Sequence, residues 1–185
     1  MDNLHLDGHA LRVLAHPLRA RLLSELRLNG AATATQLAGR LSTNTGATSY
    51  HLRKLESVGL VEDTGEGEGK RRLWRAASRS HSLTPSDFEG DEDAQTSMGW
   101  LTRDYVRQAA DRMQHWLDVE HSWPVEWRDA LGIGDDVVLL TAAQAQQLQQ
   151  ELHAVLERYR TAGADAPDAR RISVWLMTHP LDERP

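Results

Sequence analysis

Polar and apolar side chains recur at helical spacing along residues 45–58. The inward positions follow four- and three-residue intervals and are Thr48, Leu52, Leu55 and Val58. The other faces carry groups that can hydrogen-bond a phosphate or a base edge, namely Ser49, Tyr50, Arg53 and Lys54. Gly59 follows where a helix commonly ends in the left-handed conformation. A helix that lies in a DNA groove needs this division, so the segment predicts a recognition helix.

Three helices are predicted to precede and position that segment. Leucines at three- to four-residue spacing predict one helix that ends near Ala15 and a second that starts at Pro17, because proline is tolerated in a first turn. Thr33 or Thr35 can cap the third helix. A tight turn at residues 42–44 then leads into the recognition helix.

Two short strands are predicted to follow it. Residues 60–64 form the first strand, a glycine-rich tip covers residues 65–69, and residues 70–75 return. Helix, helix, turn, helix, strand, tip and strand are the order of a winged helix-turn-helix domain, which we assign to residues 1–78.

The remaining chain predicts a linker and a second module. Residues 79–97 are rich in Ser, Asp, Glu, Gly and Pro and are interpreted as the linker. Residues 98–185 are interpreted as a C-terminal module for dimerisation or effector sensing. Its predicted elements are a helix over residues 98–119, a strand at Val137–Leu140, a helix from Thr141 to Tyr159 and a strand at Ile172–Met177. The predicted class is therefore α+β, mainly α with small β.

Charge is distributed unevenly between the two parts of the chain. Residues 1–80 carry 12 Lys and Arg against 8 Asp and Glu, a net of +4, whereas residues 81–185 carry 9 against 19, a net of -10. This asymmetry favours polyanion contact through the N-terminal part only. No apolar run is long enough for a membrane span, and the N-terminus lacks a signal-peptide pattern, so we expect no membrane association and a cytoplasmic protein.

Metal and cofactor chemistry have little support in the sequence. The chain has no cysteine, which excludes disulfides and thiolate metal sites. Asp111 and His115 stand four residues apart, with Glu120 and His121 beyond them, a spacing that can bind zinc but is more typical of a helix surface. We expect no metal and no cofactor.

Two motifs resemble the ArsR-type winged-helix transcriptional regulators. Residues 14–23, Leu-Ala-His-Pro-Leu-Arg-Ala-Arg-Leu-Leu, resemble the opening of that family. Residues 49–55, with Gly59-Leu60-Val61, resemble its recognition helix and exit, and residues 72–75 resemble its returning wing strand. The resemblance covers residues 9–77, and the C-terminal module is similar to the extension of longer, actinobacterial-style members. The absence of cysteine departs from the metal-sensing branch.

The resemblance implies double-stranded DNA as the partner. In this interpretation base edges are contacted by Ser49, Tyr50 and Arg53, and phosphates by Thr35, Gln36, Thr45 and Lys54. The wing residues Lys70, Arg71 and Arg72 contact either the adjacent minor groove or phosphates. Glu66 and Glu68 at the tip oppose deep insertion of the wing, because carboxylates repel phosphates. His16 and His51 belong to the resembling motifs and are interpreted as packing or hydrogen-bonding residues.

We further expect a homodimer that recognises an inverted repeat, because such regulators pair two recognition helices one DNA turn apart. The candidate dimerisation residues are Leu11, Leu101, Tyr105 and Trp116; packing within one subunit is the alternative. A pocket for a flat apolar effector could be lined by Trp100, Trp116, Trp123, Trp127 and Trp175, although these are also ordinary core residues.

The sequence therefore predicts a transcriptional regulator, expected to be a repressor. A winged-helix protein-interaction module and a small-molecule-responsive sensor remain as alternatives. No nucleophile motif, zinc-protease motif or phosphate-binding loop is present, so an enzyme is not expected.

Overall fold

The computed structural model of the protein describes residues 3–67, 69 and 71–182. Its α-helices are α1 (Gly8–Leu14), α2 (Pro17–Asn29), α3 (Ala34–Arg40), α4 (Thr45–Glu56), α5 (Glu92–Val119), α6 (Val125–Ala130) and α7 (Ala142–Tyr159). Its strands are β1 (Asn3–His5), β2 (Ala32–Thr33), β3 (Val61–Asp63), β4 (Leu73–Ala76) and β5 (Ser80–Ser82). The α+β class expected from the sequence is confirmed. Among the described residues, no helix combines the length and the apolar character needed to cross a bilayer.

Local signals set the boundaries of the first four helices. Pro17 stands at the start of α2, and His16 caps that helix by accepting a hydrogen bond from the Leu18 amide at 3.2 Å. Thr33 caps α3 in a reciprocal capping box with Gln36. Gly59, at φ 70°, follows α4 in the left-handed region, as the sequence predicts.

Two small sheets complete the N-terminal part. One has the order β2-β4-β3, antiparallel throughout, and forms the predicted wing. The other pairs β1 with β5 in parallel, joining residues 3–5 to residues 80–82. Residues 79–97 are therefore not a linker, which corrects the sequence interpretation. They contain β5, a 3-10 turn at Pro85–Phe88 with a buried Phe88, and the start of α5.

The chain divides into two units, Met1–Gln114 and His115–Pro185, instead of dividing at residues 78 and 98. The core of the first unit is rich in leucine: its largest fully buried side chains are Leu6, Leu11, Leu14, Leu22, Leu23, Leu37, Leu52, Leu55, Leu60, Leu101, Val61 and Thr48. Burial of this apolar area is the main force that holds α1 to α4 together.

The second unit contains α6, α7 and the C-terminal end of α5. Thr141 caps α7 in a capping box with Gln144, as predicted. The predicted strands at Val137–Leu140 and Ile172–Met177 are wrong for this structure, since neither segment forms a β-strand and Leu139 is fully exposed. A strand needs a neighbouring strand for its backbone groups, and an isolated pair of strands is marginally stable at best in water.

Candidate nucleic-acid interface

Helix α4, the candidate recognition helix, is fixed by its inward face. Thr48, Leu52 and Leu55 are fully buried, and the Thr48 hydroxyl donates to the Asn44 carbonyl at 3.0 Å. The Asn44 side chain caps the helix by accepting from the Ala47 amide at 2.8 Å. The polar face therefore points away from the core, in the arrangement that the sequence predicts.

A cleft of about 190 Å³ lies between the start of α3, one side of α4 and the wing. Its lining residues are Thr33, Ala34, Thr35, Thr45, Ser49, Arg53, Arg71, Arg72 and Trp74. Six of the ten predicted DNA-binding residues, from three separate parts of the sequence, therefore meet at one concave surface. The cleft presents hydroxyl groups and guanidinium groups together, which suits a phosphate backbone.

The arginines of the cleft differ in their ion pairs. Arg72 lies 3.4 Å from Asp63 and 3.5 Å from Glu56, and its guanidinium stands 5.6 Å from the ring centroid of Trp74. In the described part of the chain, no carboxylate lies within 4 Å of Arg53 or Arg71. Positive charge for an external anion therefore comes mainly from Arg53 and Arg71.

The other predicted DNA-binding residues lie outside the cleft. Tyr50 is 55% exposed on the next face of α4, and the Lys54 ammonium stands 5.8 Å from its ring centroid. The side-chain oxygen Oε1 of Gln36 accepts a hydrogen bond from the Thr33 backbone amide at 2.8 Å, so this side chain caps α3. Lys70 lies outside the described residues, as does Glu68.

A cross-strand ion pair joins the two wing strands, β3 and β4. Glu62 and Arg75 are register partners, with Arg75 Nε 2.7 Å from Glu62 Oε1. Trp74, on the opposite face of β4, is buried and contributes to the wall of the cleft. Sequence reasoning missed Trp74 and Thr33 as lining residues, although an aromatic residue within an alternating strand was a signal for a buried position.

The residues predicted for dimerisation are placed differently from one another. Leu11 and Leu101 are fully buried in the core of their own unit, so they offer no surface to a second subunit, which corrects their assignment. Tyr105 is hydrogen-bonded to His81 inside the same unit, through its hydroxyl oxygen and His81 Nε2 at 2.6 Å. Trp116 is half-buried.

The predicted effector pocket is not assembled from all five tryptophans. Trp100 belongs to the first unit and packs against its core, which corrects its assignment. In the second unit, Trp116, Trp123 and Trp127 form a chain of edge-to-face contacts with centroid separations of 5.6 and 6.1 Å. Trp175 is exposed. Among the described residues, no three His, Asp or Glu side chains are grouped as metal ligands.

Comparison with known proteins gives one family match. Residues 14–64 match the family model described as a helix-turn-helix domain. The structure of reduced HlyU from Vibrio cholerae N16961 is similar to part of the chain, with 23% identity and a TM-score of 0.34 over 51% of this chain and 83% of that one. No curated protein matches the chain. The segment from the end of α1 to the first wing strand is therefore a helix-turn-helix domain.

Proposed function

We propose that the protein is a sequence-specific DNA-binding transcriptional regulator, acting as a repressor, and that it is a binding protein and not an enzyme. The helix-turn-helix domain supports DNA binding. The observation that carries the proposal is the cleft in which α3, α4 and the wing bring hydroxyl and guanidinium groups together.

In this proposal α4 lies in the major groove. Arg53 pairs with a guanine through two hydrogen bonds, while Ser49 and Tyr50 contact neighbouring base edges. Thr35 and Thr45 contact the phosphate backbone beside the groove, and Lys54 contacts a phosphate as a point charge. These roles follow from the exposure of each side chain and from its place on α3 or α4.

Arg71 is the principal wing contact in this arrangement. It is exposed and lines the cleft, whereas Arg72 is occupied by Asp63 and Glu56. A phosphate that approached Arg72 would have to compete with two carboxylates. The basic residues at the foot of the wing therefore contact the DNA phosphate backbone. Glu66, at the exposed tip, keeps the wing from inserting deeply into a DNA groove.

We also propose that the protein acts as a homodimer on an inverted repeat. Val106 on α5 is 50% exposed, and Ala110 and Met113 follow it at helical spacing. Such a stripe suits helix-to-helix contact with a second copy. A dimer would place two α4 helices one DNA turn apart. It would therefore bind DNA more tightly than one subunit with a single α4 helix.

Selection from a random 30-bp duplex library tests this function with the full-length protein. We expect enriched duplexes to contain an inverted repeat, and their affinity to fall as salt is raised. Arg53→Ala should weaken binding to the enriched duplex by about 5- to 100-fold and reduce discrimination at one position in each half-site. Arg21→Ala, at an exposed position on α2, is the matched control and should bind normally. Failure to enrich any sequence, or binding that does not respond to salt, would contradict the proposal and favour a protein-interaction module.

A further inference from the structure

Four polar side chains form a cluster where the start of α2 meets α4. The rings of His16 and His51 lie with centroids 4.5 Å apart, and Tyr50 contacts His51 edge-to-face at 5.1 Å. Arg19, two residues inside α2, completes the group, which we call the His16–His51 cluster. None of these residues lines the cleft described above.

The cluster holds one positive charge without a counter-ion. Within the described residues, no carboxylate lies within 4 Å of Arg19, and neither Arg19 Nε nor His51 Nδ1 has a hydrogen-bond partner although both atoms are buried. Burial lowers the pKa of His16 and of His51, and the Arg19 charge lowers both further, so both rings are neutral at pH 7. Burial also lowers the pKa of Arg19, but a guanidinium still stays charged. A partly buried cation of this kind is stabilised by an anion from outside the chain.

The cluster lies on the flank of α4 opposite the cleft. Successive residues of an α-helix are rotated by about 100°, so Ser49 and His51 point in directions about 160° apart. Ser49 lines the cleft, whereas His51 faces His16 and Arg19 of α2. Tyr50 lies between them on the exposed face.

A helix in the major groove has one phosphate backbone on each side. The groove is about 12 Å wide, so structures on both flanks of the helix come close to the two backbones. In this arrangement the cleft, which includes Thr35 and Arg71, faces one of the two phosphate backbones. The His16–His51 cluster faces the other backbone.

We propose that Arg19, held in place by His16, His51 and Tyr50, binds a phosphate on the DNA strand opposite to the one contacted by the cleft. This inference rests on the proposed DNA-binding function. Arginine can bind a phosphate through two parallel N–H donors, and because Arg19 Nε is buried, the donors that face an external phosphate are the two terminal Nη groups. The His16 ring beside it is fixed in orientation, because its Nδ1 accepts a hydrogen bond from the Leu18 amide.

The test is the salt dependence of DNA binding by Arg19→Gln. Loss of one phosphate contact should reduce the slope of log K against log salt by about 0.9 and weaken binding by about eightfold at 0.1 M salt. The loss should be equal for the selected duplex and for a duplex with mutated half-sites, because a phosphate contact carries no base information. Arg21→Gln removes the same charge from an exposed position of α2 and should leave the slope closer to that of the natural protein.

Arg19→Lys provides a variant that keeps the charge. It should retain the slope while binding more weakly, because lysine offers a point charge without the paired donors. Circular dichroism and thermal unfolding of each variant show whether it is folded, and Arg19→Lys decides the matter if Arg19→Gln unfolds. An unchanged slope in Arg19→Gln would overturn the inference. If Arg19→Gln unfolds, an affinity of Arg19→Lys equal to that of the natural protein would overturn it instead. If the natural protein selects no duplex, the proposed DNA-binding function itself is wrong. If the protein binds a duplex and Arg53→Ala weakens binding but Arg19→Gln does not, only the inference about Arg19 is wrong.

Discussion

The Tyr105 hydroxyl lies 2.6 Å from Nε2 of His81. The other ring nitrogen, Nδ1, lies 2.6 Å from Nη1 of Arg27. Because a guanidinium only donates, Nδ1 must accept, and the Nε2–H must donate to the Tyr105 oxygen. Arg27 also donates to the Ser78 carbonyl and hydroxyl at 3.1 and 3.2 Å. The result is a satisfied polar network that joins α5 to α2 and β5 within the first unit.

Tyr105→Phe should destabilise the first unit. The substitution keeps the ring but leaves the His81 donor without a partner, and an unsatisfied buried donor costs about 1–3 kcal/mol. Urea unfolding followed by circular dichroism measures the change. Tyr159→Phe, at a residue that is 70% exposed, is the matched control and should be within about 0.5 kcal/mol of the natural protein. Equal stability of the two variants would show that the network adds nothing.

His81 should make the protein less stable in acid. Burial and then the neighbouring Arg27 charge lower the pKa of His81 to about 3, against about 6.5 in an unfolded chain. Between these values the unfolded state binds more protons, so the free energy of unfolding rises with pH by up to about 1.4 kcal/mol per pH unit. The contribution is complete above about pH 6.5 and is lost as the pH falls towards 3.

Urea unfolding at pH 7, 6, 5 and 4 measures this slope. In His81→Gln the amide can accept from Arg27 and donate to Tyr105, so the network survives without a titrating group. The rise of the unfolding free energy with pH should then be smaller by up to about 1.4 kcal/mol per pH unit, which corresponds to one proton. His16 and His51 change the slope in the same direction in both proteins and cancel in the comparison. Identical slopes would mean that His81 does not titrate differently on unfolding.

Gly59→Ala should destabilise the protein, because this residue adopts φ 70°. The left-handed conformation costs a residue with a Cβ about 1–2 kcal/mol, even though no atom lies within 4 Å of the added methyl group. Gly39→Ala is the matched control: it lies within α3, also in open space, and should be neutral or stabilising by about 0.5–1 kcal/mol. Thermal unfolding of both variants gives the comparison, and a stable Gly59→Ala would contradict the role of the backbone conformation.

Asn44→Ala should affect both stability and DNA binding. It removes the cap of α4, at a cost of about 1 kcal/mol, and allows the first turn of the recognition helix to fray. Asn44→Ser restores a capping oxygen without adding charge and should recover most of both losses. Denaturant unfolding and DNA titration measure the two effects. A variant that loses stability but keeps full affinity would show that the first turn of α4 does not contact DNA.

Local chemistry made much of the N-terminal fold predictable. Pro17, Thr33 and Gly59 act through backbone geometry and neighbouring hydrogen bonds, and each marks the boundary that the structure has. The candidate recognition helix is predictable because its apolar spacing and its polar face both lie within 14 consecutive residues of the sequence. Thr141 at the start of α7 was found in the same way.

Contacts between distant residues were not predictable in this manner. The polar composition of residues 79–97 resembles a linker, but β5 pairs with β1 and Phe88 enters the core, which are long-range contacts. The His16–His51 cluster also forms only when α2 packs on α4. Conversely, residues 137–140 and 172–177 have strand-like composition, but the structure forms no strand at either segment.

The leucine core has a consequence for how α4 is held. Side chains of one size and flexibility fill space well but select weakly among similar packing arrangements. The hydrogen bonds at Asn44 and the left-handed turn at Gly59 therefore add fixed points at the two ends of α4, whose Leu52 and Leu55 enter this core. Selective isotopic labelling of leucine methyl groups would make most of the interior of the first unit visible by NMR spectroscopy. A shift in those signals on binding would then reveal whether the interior rearranges when the exterior of α4 is occupied.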